Sequence, residues 1–141
     1  LDAYKAEGIE IWGMTPVNEP HGNAGSWESM HFSPESQRDF IRDHLGPKLK
    51  ASAHPDTRIL NYDQNRDQVE HWTDVVLGDP DASQHIYGTA VHWYASTNRV
   101  FEETLNRLHD KFPDFDIINT EATIDNLRVA APTGNTYPYC Y

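Results

Sequence analysis

The 141-residue chain predicts an α/β fold built on a parallel sheet, and two observations carry that prediction. Four short runs rich in β-branched and aromatic residues recur: Ile9–Met14 (IEIWGM), Arg58–Tyr62 (RILNY), Thr89–Tyr94 (TAVHWY) and Asp116–Thr120 (DIINT). Between them lie segments with helical apolar spacing, over residues 34–51, 68–77 and 100–112. Strands alternating with helices require crossover connections, and those build parallel sheets. The strand starts stand 49, 31 and 27 residues apart, which fits βαβ units with one long loop.

Each element has its own local reason. The opening LDAYKAE reads as a helix stopped by Gly8 at its C′ position. The next helix starts from Ser33 as N-cap, with Pro34 at the first helical position and Glu35 in the first turn. Phe40, Ile41, Leu45 and Leu49 continue its apolar stripe, and Gly46-Pro47 predicts a kink or break within it. Trp72, Val75 and Val76 give the second crossover helix its buried face before Gly78-Asp79-Pro80. In the third, Val100, Phe101, Leu105, Leu108 and Phe112 make the stripe that Pro113 ends. Trp12, inside the first strand, is expected in the core. The long loop PHGNAGSWESMHF, residues 20–32, follows that strand, and its Trp27 either walls a pocket or anchors the loop.

Composition narrows the function. Twenty-two acidic against eleven basic side chains give a net charge of −11, which excludes general binding to nucleic-acid backbones. Neutral or polar substrates fit better. No apolar run approaches the roughly 18 residues of a membrane span, and no basic-then-apolar leader is present in the chain. The single cysteine, Cys140, forms neither an internal disulfide nor a metal cluster. Eight histidines could offset up to eight of the eleven negative charges near pH 5, a composition suited to an acidic compartment.

Every strand ends in polar or aromatic residues. The first runs into Thr15, Asn18 and Glu19, the second into Asp63-Gln64-Asn65, the third into His92-Trp93-Tyr94 and the fourth into Asn119-Thr120-Glu121. In parallel α/β sheets and barrels, ligands bind at these carboxyl ends because the loops converge there. Glu19 and Glu121 are 102 residues apart but on strands three units apart, so both can face one bowl. Cleavage of a glycosidic bond needs two such carboxyl groups, one protonated and one ionised. A glutamate can equally cap a helix or pair with an arginine. His92 can serve as a structural hydrogen-bonding residue, and Trp93, alternating with it, can face the outer helices. Tyr94 falls on the His92 side by alternation, while Asp63 and Gln64 point to opposite faces.

TPVNEP, the long loop and then FSPESQRDFIRDHLGP resemble the acid/base region of glycoside hydrolase family 30, the glucosylceramidase-type retaining β-glycosidases. The likeness continues through EHWTDVVLGDPDA and GTAVHWYAS to IINTEAT, in the family's order, and stops near Ala122. The loop HGNAGSWESMH lacks the cysteine of the longer glucosylceramidase loop. This resemblance implies a partial (β/α)8 TIM barrel, about strands four to seven, with residues 1–141 a fragment of the catalytic domain. It implies Glu19 as general acid/base, Glu121 as nucleophile, and Asn18 as the partner of the sugar 2-hydroxyl. It further implies that His92, Trp93 and Tyr94 form part of the substrate site and that Asp63 orients the acid/base or a neighbour. No cofactor is implied. The expected substrate is a carbohydrate or glycolipid, most closely glucosylceramide, with β-1,6-glucan or xylan as alternatives. The expected parent is secreted or lysosomal and makes peripheral contact with lipid surfaces, and the fragment alone is expected to be inactive.

Two other classes compete. A metal-dependent barrel hydrolase would use His92, Asp63 and Glu121 as ligands, but the chain has neither a His-X-His nor a His-Glu-X-X-His pattern. A carbohydrate-binding relative without catalysis would not need both glutamates.

Overall fold

The computed structural model describes residues 1–22, 28–96 and 99–122. Trp27, Cys140 and the rest of the C-terminal tail lie outside them. A four-stranded parallel sheet carries β1 (Gly13–Met14), β2 (Arg58–Asn65), β3 (Ile86–His92) and β4 (Asp116–Glu121), in the order β1-β2-β3-β4. The fold is a partial (β/α) barrel. Helices α1 (Asp2–Ala6), α2 (Pro34–Phe40), α3 (Gly46–Lys50), α4 (Val69–Val76), α5 (Pro80–Ser83) and α6 (Glu102–Lys111) supply the crossovers and flanks.

Local chemistry sets the element ends. Gly8 takes φ +77°, and the Gly8 and Ile9 amides return to the carbonyls of Lys5 and Tyr4, closing α1. At α2 the Ser36 amide donates to the Ser33 hydroxyl (3.1 Å) and the Ser33 amide donates to the Ser36 hydroxyl (2.8 Å), a reciprocal cap. Pro47 does not break the helix as expected. The chain between α2 and α3 widens into a π turn over Ile41–Leu45, and the Gly46 amide reaches the Ile41 carbonyl. Pro47 has no N–H to give and its ring crowds the carbonyl four residues back, so a wider turn before it keeps the helix continuous. Gly46 is required there, because a Cβ would meet the His85 ring at 2.3 Å.

The first strand is shorter than its sequence pattern. Gly13 pairs with Arg58, the first residue of β2, so Ile9–Trp12 run past a segment that has not yet become a strand. Trp12 is accordingly 50% exposed rather than core. It meets Tyr87 edge-to-face, with the Arg58 guanidinium over both rings. The third strand is displaced towards the N-terminus: it begins at Ile86 and ends at His92, leaving Trp93 and Tyr94 in a bend and turn. Helix α5 was not expected; Asp79 caps it by accepting from the Asp81 and Ala82 amides.

One face of the sheet is covered. Ile41, Leu49, Ile59, Tyr62, Val69, Trp72, Val76, Leu77, Ile86, Val91 and Leu108 form one apolar cluster between sheet and helices. At its centre Gln37 is fully buried, and its Oε1 accepts from Trp72 Nε1 (2.8 Å) and the Tyr62 amide (2.9 Å). That one side chain joins α2, α4 and β2.

Candidate active site

The carboxyl ends of the strands and the sheet face turned away from the apolar cluster enclose an open depression of about 330 Å³. Met14, Leu60 and Ile118 form its apolar wall, and Asn18, Asp63 and His92 lie at its polar end with Thr120 and Glu121. Leu60 and Asp63 share this lining although they are three residues apart. Ile59 and Tyr62, also three apart, share the core on the opposite face. A strand with strict alternation cannot do both.

The break in alternation lies in the backbone. Tyr62 and Asp63 both adopt left-handed φ, at 71° and 68°, and the pairing of β2 with β3 slips between Tyr62 and Gln64. Consecutive left-handed residues without glycine are costly, on the order of 1–2 kcal/mol each, and such strain gathers where a side chain must be aimed. Here the bulge sends the Tyr62 ring into the core and the Asp63 carboxylate to the site. The β2–β3 pairing also slips between Ile59 and Leu60, and a slip in the β3–β4 pairing, between Val91 and His92, pairs His92 with Glu121 and passes over Thr120.

Asp63 is bound on every side. Its Oδ2 accepts from the Thr15 hydroxyl (2.6 Å), and its Oδ1 accepts from the Thr120 hydroxyl (2.9 Å) and faces His92 Nε2 (3.1 Å). Its main-chain carbonyl accepts from the Glu19 amide (3.0 Å). Burial alone would raise the Asp63 pKa, but the hydrogen bonds from His92, Thr15 and Thr120 outweigh it and hold the carboxyl below the usual range.

His92 is fully buried, and its ring stands between the two glutamates. Nδ1 is 3.6 Å from Glu19 Oε1, and Nε2 is 3.6 Å from Glu121 Oε2. Burial disfavours the imidazolium. The hydrogen bond and charge of Asp63, with the charges of Glu121 and Glu19, more than compensate and raise the His92 pKa. One oxygen of Glu19 and one of Glu121 lie within 4.8 Å of each other. Glu19 leaves β1 through a left-handed residue of its own, φ 49°, and its carbonyl receives the Gly22 amide.

The anticipated site residues therefore divide. Glu19, Glu121, Asp63 and His92 form one connected group, and Asn18 lines the depression beside it. Tyr94 lies beyond the strand end, yet its ring meets His92 edge-to-face at 6.1 Å. The Tyr94 amide donates to Asn65 Oδ1 (2.9 Å), which folds the turn back onto β2. Trp93 is half-buried in the bend, and its carbonyl accepts from the Arg66 guanidinium (3.5 Å). Thr15 and Thr120 were visible only as polar strand-end residues; nothing in their spacing assigned them a partner. The group Glu19, His92 and Glu121 also offers three donor atoms to a metal ion. Two of the three are the carboxylates that the resemblance assigns to glycosidic cleavage.

Parallel βα units in this order, with two facing carboxylates at the strand ends, define a segment of a (β/α) barrel. The chain belongs to the glycosyl hydrolase family 30 TIM-barrel domain, whose family model matches residues 1–130, past the point near Ala122 where the motifs stop. It is 38% identical over 127 residues to the lysosomal acid glucosylceramidase of Mus musculus, covering 88% of this chain and 24% of that protein. It is 32% identical over 113 residues to the endo-1,6-beta-D-glucanase neg1 of Aspergillus fumigatus, covering 80% of this chain and 22% of the relative. Among solved structures it resembles the endo-beta1,6-glucanase BT3312, with TM-score 0.79 and 34% identity over 89% of this chain and 28% of the other. The chain thus spans about a quarter of the length of the curated relatives it matches.

Proposed function

We propose that these residues form the catalytic segment of a retaining β-glycosidase acting on a β-glucoside. The observation that carries the reading is the approach of Glu19 and Glu121 to within 4.8 Å at the carboxyl ends of two parallel strands. Retaining enzymes hold their carboxyl groups about 5–5.5 Å apart, whereas inverting enzymes leave about 6.5–9.5 Å for a water. Glu121 attacks the anomeric carbon, forming a bond to it as the glycosidic C–O bond breaks, and Glu19 delivers its proton to the departing oxygen. Glu19 then takes a proton from water, which displaces Glu121 and releases the sugar with retained configuration. Asn18 holds the 2-hydroxyl, a contact that strengthens in the transition state.

Glucosylceramide is the favoured substrate, because similarity to a glucosylceramidase is higher than to a β-1,6-glucanase. The second reading, a β-1,6-glucan, is supported by the solved glucanase that shares this architecture. An acidic lysosomal or secreted setting, with contact at a lipid surface, accompanies the first. The test uses the full-length protein with an aryl β-glucoside carrying a good leaving group. Glu121→Ala should abolish turnover, and Glu19→Ala should recover it with azide as the β-glycosyl azide. Wild-type rates in both variants would overturn the reading. Glucosylceramide and a β-1,6-glucan oligosaccharide, assayed side by side, then separate the two substrates.

A further inference from the structure

We propose that Thr15 and Thr120, with Asp63 between them, form a positioning clamp that sets the separation of the two catalytic carboxylates. The inference rests on the two-glutamate reading above and assigns roles to two hydroxyls that have none in it.

The clamp touches all four strands through a single carboxylate. Thr15 lies directly after β1, Asp63 in the bulge of β2, His92 at the end of β3 and Thr120 in β4. Each contact leads to one of the glutamates. The Asp63 carbonyl holds the Glu19 amide at 3.0 Å, and Thr15 anchors the same segment four residues earlier. Thr120 is the chain neighbour of Glu121, at the position the β3–β4 pairing passes over, so its side chain is free of the regular ladder and available to Asp63. His92, hydrogen-bonded to the same Oδ1 as Thr120, stands 3.6 Å from each glutamate.

The geometry demands a reason, because it is maintained at the expense of two left-handed non-glycine residues in the middle of a strand. Without the bulge, Asp63 would share the face of Ile59 and point into the apolar core. With it, the carboxylate can accept three hydrogen bonds and still use its main chain to tether Glu19. The distance between attacking and proton-donating oxygens is then set by a chain of short polar contacts. An error of about 1 Å in such a distance can cost roughly 10²-fold in rate.

The experiment compares Thr120→Val, Thr120→Ser, Thr15→Val and Asp63→Asn in the full-length protein, using an aryl β-glucoside. A 2-deoxy-2-fluoro-β-glucoside with a good leaving group counts the competent sites, so kcat refers to folded enzyme only. Thr120→Val should lose roughly 10- to 10²-fold in kcat per counted site, with KM changed less than about threefold and Thr120→Ser restoring most of the loss. Thr15→Val should behave likewise, and the double valine variant should lose less than the product of the two single effects, because both act through one carboxylate. If Thr120→Val reduces only the number of competent sites, with kcat per site unchanged, the hydroxyl is structural and the proposal fails. If Thr120→Ser is as impaired as Thr120→Val, the proposal also fails. Glu121→Ala is run in parallel: if it stays active, the glycosidase reading itself is wrong, an outcome separable from a failed clamp. Should Asp63→Asn not fold, the two threonine series decide alone.

Discussion

Asp63 and His92 oppose one another in pH. The Asp63 pKa is lowered in the folded protein, so its ion pair and hydrogen bonds stabilise the fold above the ordinary carboxylate pKa. That stabilisation is lost as pH falls through the lowered value. The His92 pKa is raised, so its stabilisation is complete below about pH 6.5 and is lost as pH rises through the folded value. The melting temperature of the full-length protein should therefore decline on both sides of a mildly acidic maximum. Asp63→Asn removes the hydrogen-bonded charge that most raises the His92 pKa, leaving only the charges of Glu121 and Glu19 against burial. Its His92 resonance should titrate at lower pH than in wild type; an unchanged midpoint would show that the two glutamates, not Asp63, raise the His92 pKa. The residues of this group differ in how openly the sequence declares them. Glu19, Asp63, His92 and Glu121 stand at strand ends and carry motif resemblance. Their assembly through Thr15 and Thr120 depends on a left-handed pair at Tyr62 and Asp63; aspartate tolerates that region, but a tyrosine does not announce it.

Elements were legible where local grammar acts alone. Ser33-Pro34 starts α2, Gly8 ends α1 and the apolar spacing of Trp72 and Val76 locates α4, because these signals need no distant partner. Strand limits were less legible, since a strand exists only where a neighbour meets it. Ile9–Trp12 have strand composition but lie beside turns, whereas β2 extends past Tyr62 to Asn65 because β3 and the bulge accompany it. Helix α5 carried its own signal in Asp79-Pro80, an N-cap followed by proline, which reads as easily as a helix stop. At this scale Gln37 gives the sharpest prediction. Gln37→Leu is apolar and of similar length, yet it would leave the Trp72 indole and the Tyr62 amide buried without acceptors. The cost should be about 1–3 kcal/mol for each donor, read as a lower denaturation midpoint with an unchanged denaturant slope. Gly88→Ala should also destabilise, since its Cβ would come within 2.3 Å of the Asp116 carbonyl across the β3–β4 pair.

For the molecule as a whole, the two sheet faces have different fates. One is sealed by helices; the other bears the depression and, towards the strand starts, the stack of Trp12, Arg58 and Tyr87. Among the described residues no helix is long and apolar enough to cross a membrane. Among the described residues the outer edges of β1 and β4 pair with no further strand, and such edges recruit strands when the segment is produced alone. Sedimentation of the isolated segment should show association that grows with concentration, with no turnover of an aryl β-glucoside.

The strands also contribute unequally to the one carboxylate they share. β1 offers only two paired residues, while β2 and β3 are locked side by side over most of their length. The first increments of denaturant should therefore peel away the segment bearing Thr15 and Glu19, well before Trp72 and Tyr62 leave the core. A mildly stressed preparation would keep its helical signal after Glu19 had left Glu121, and Trp12, beside the departing segment and stacked on Tyr87, would be the first indole to change its surroundings. The two glutamates would then part before the fold around them gives way.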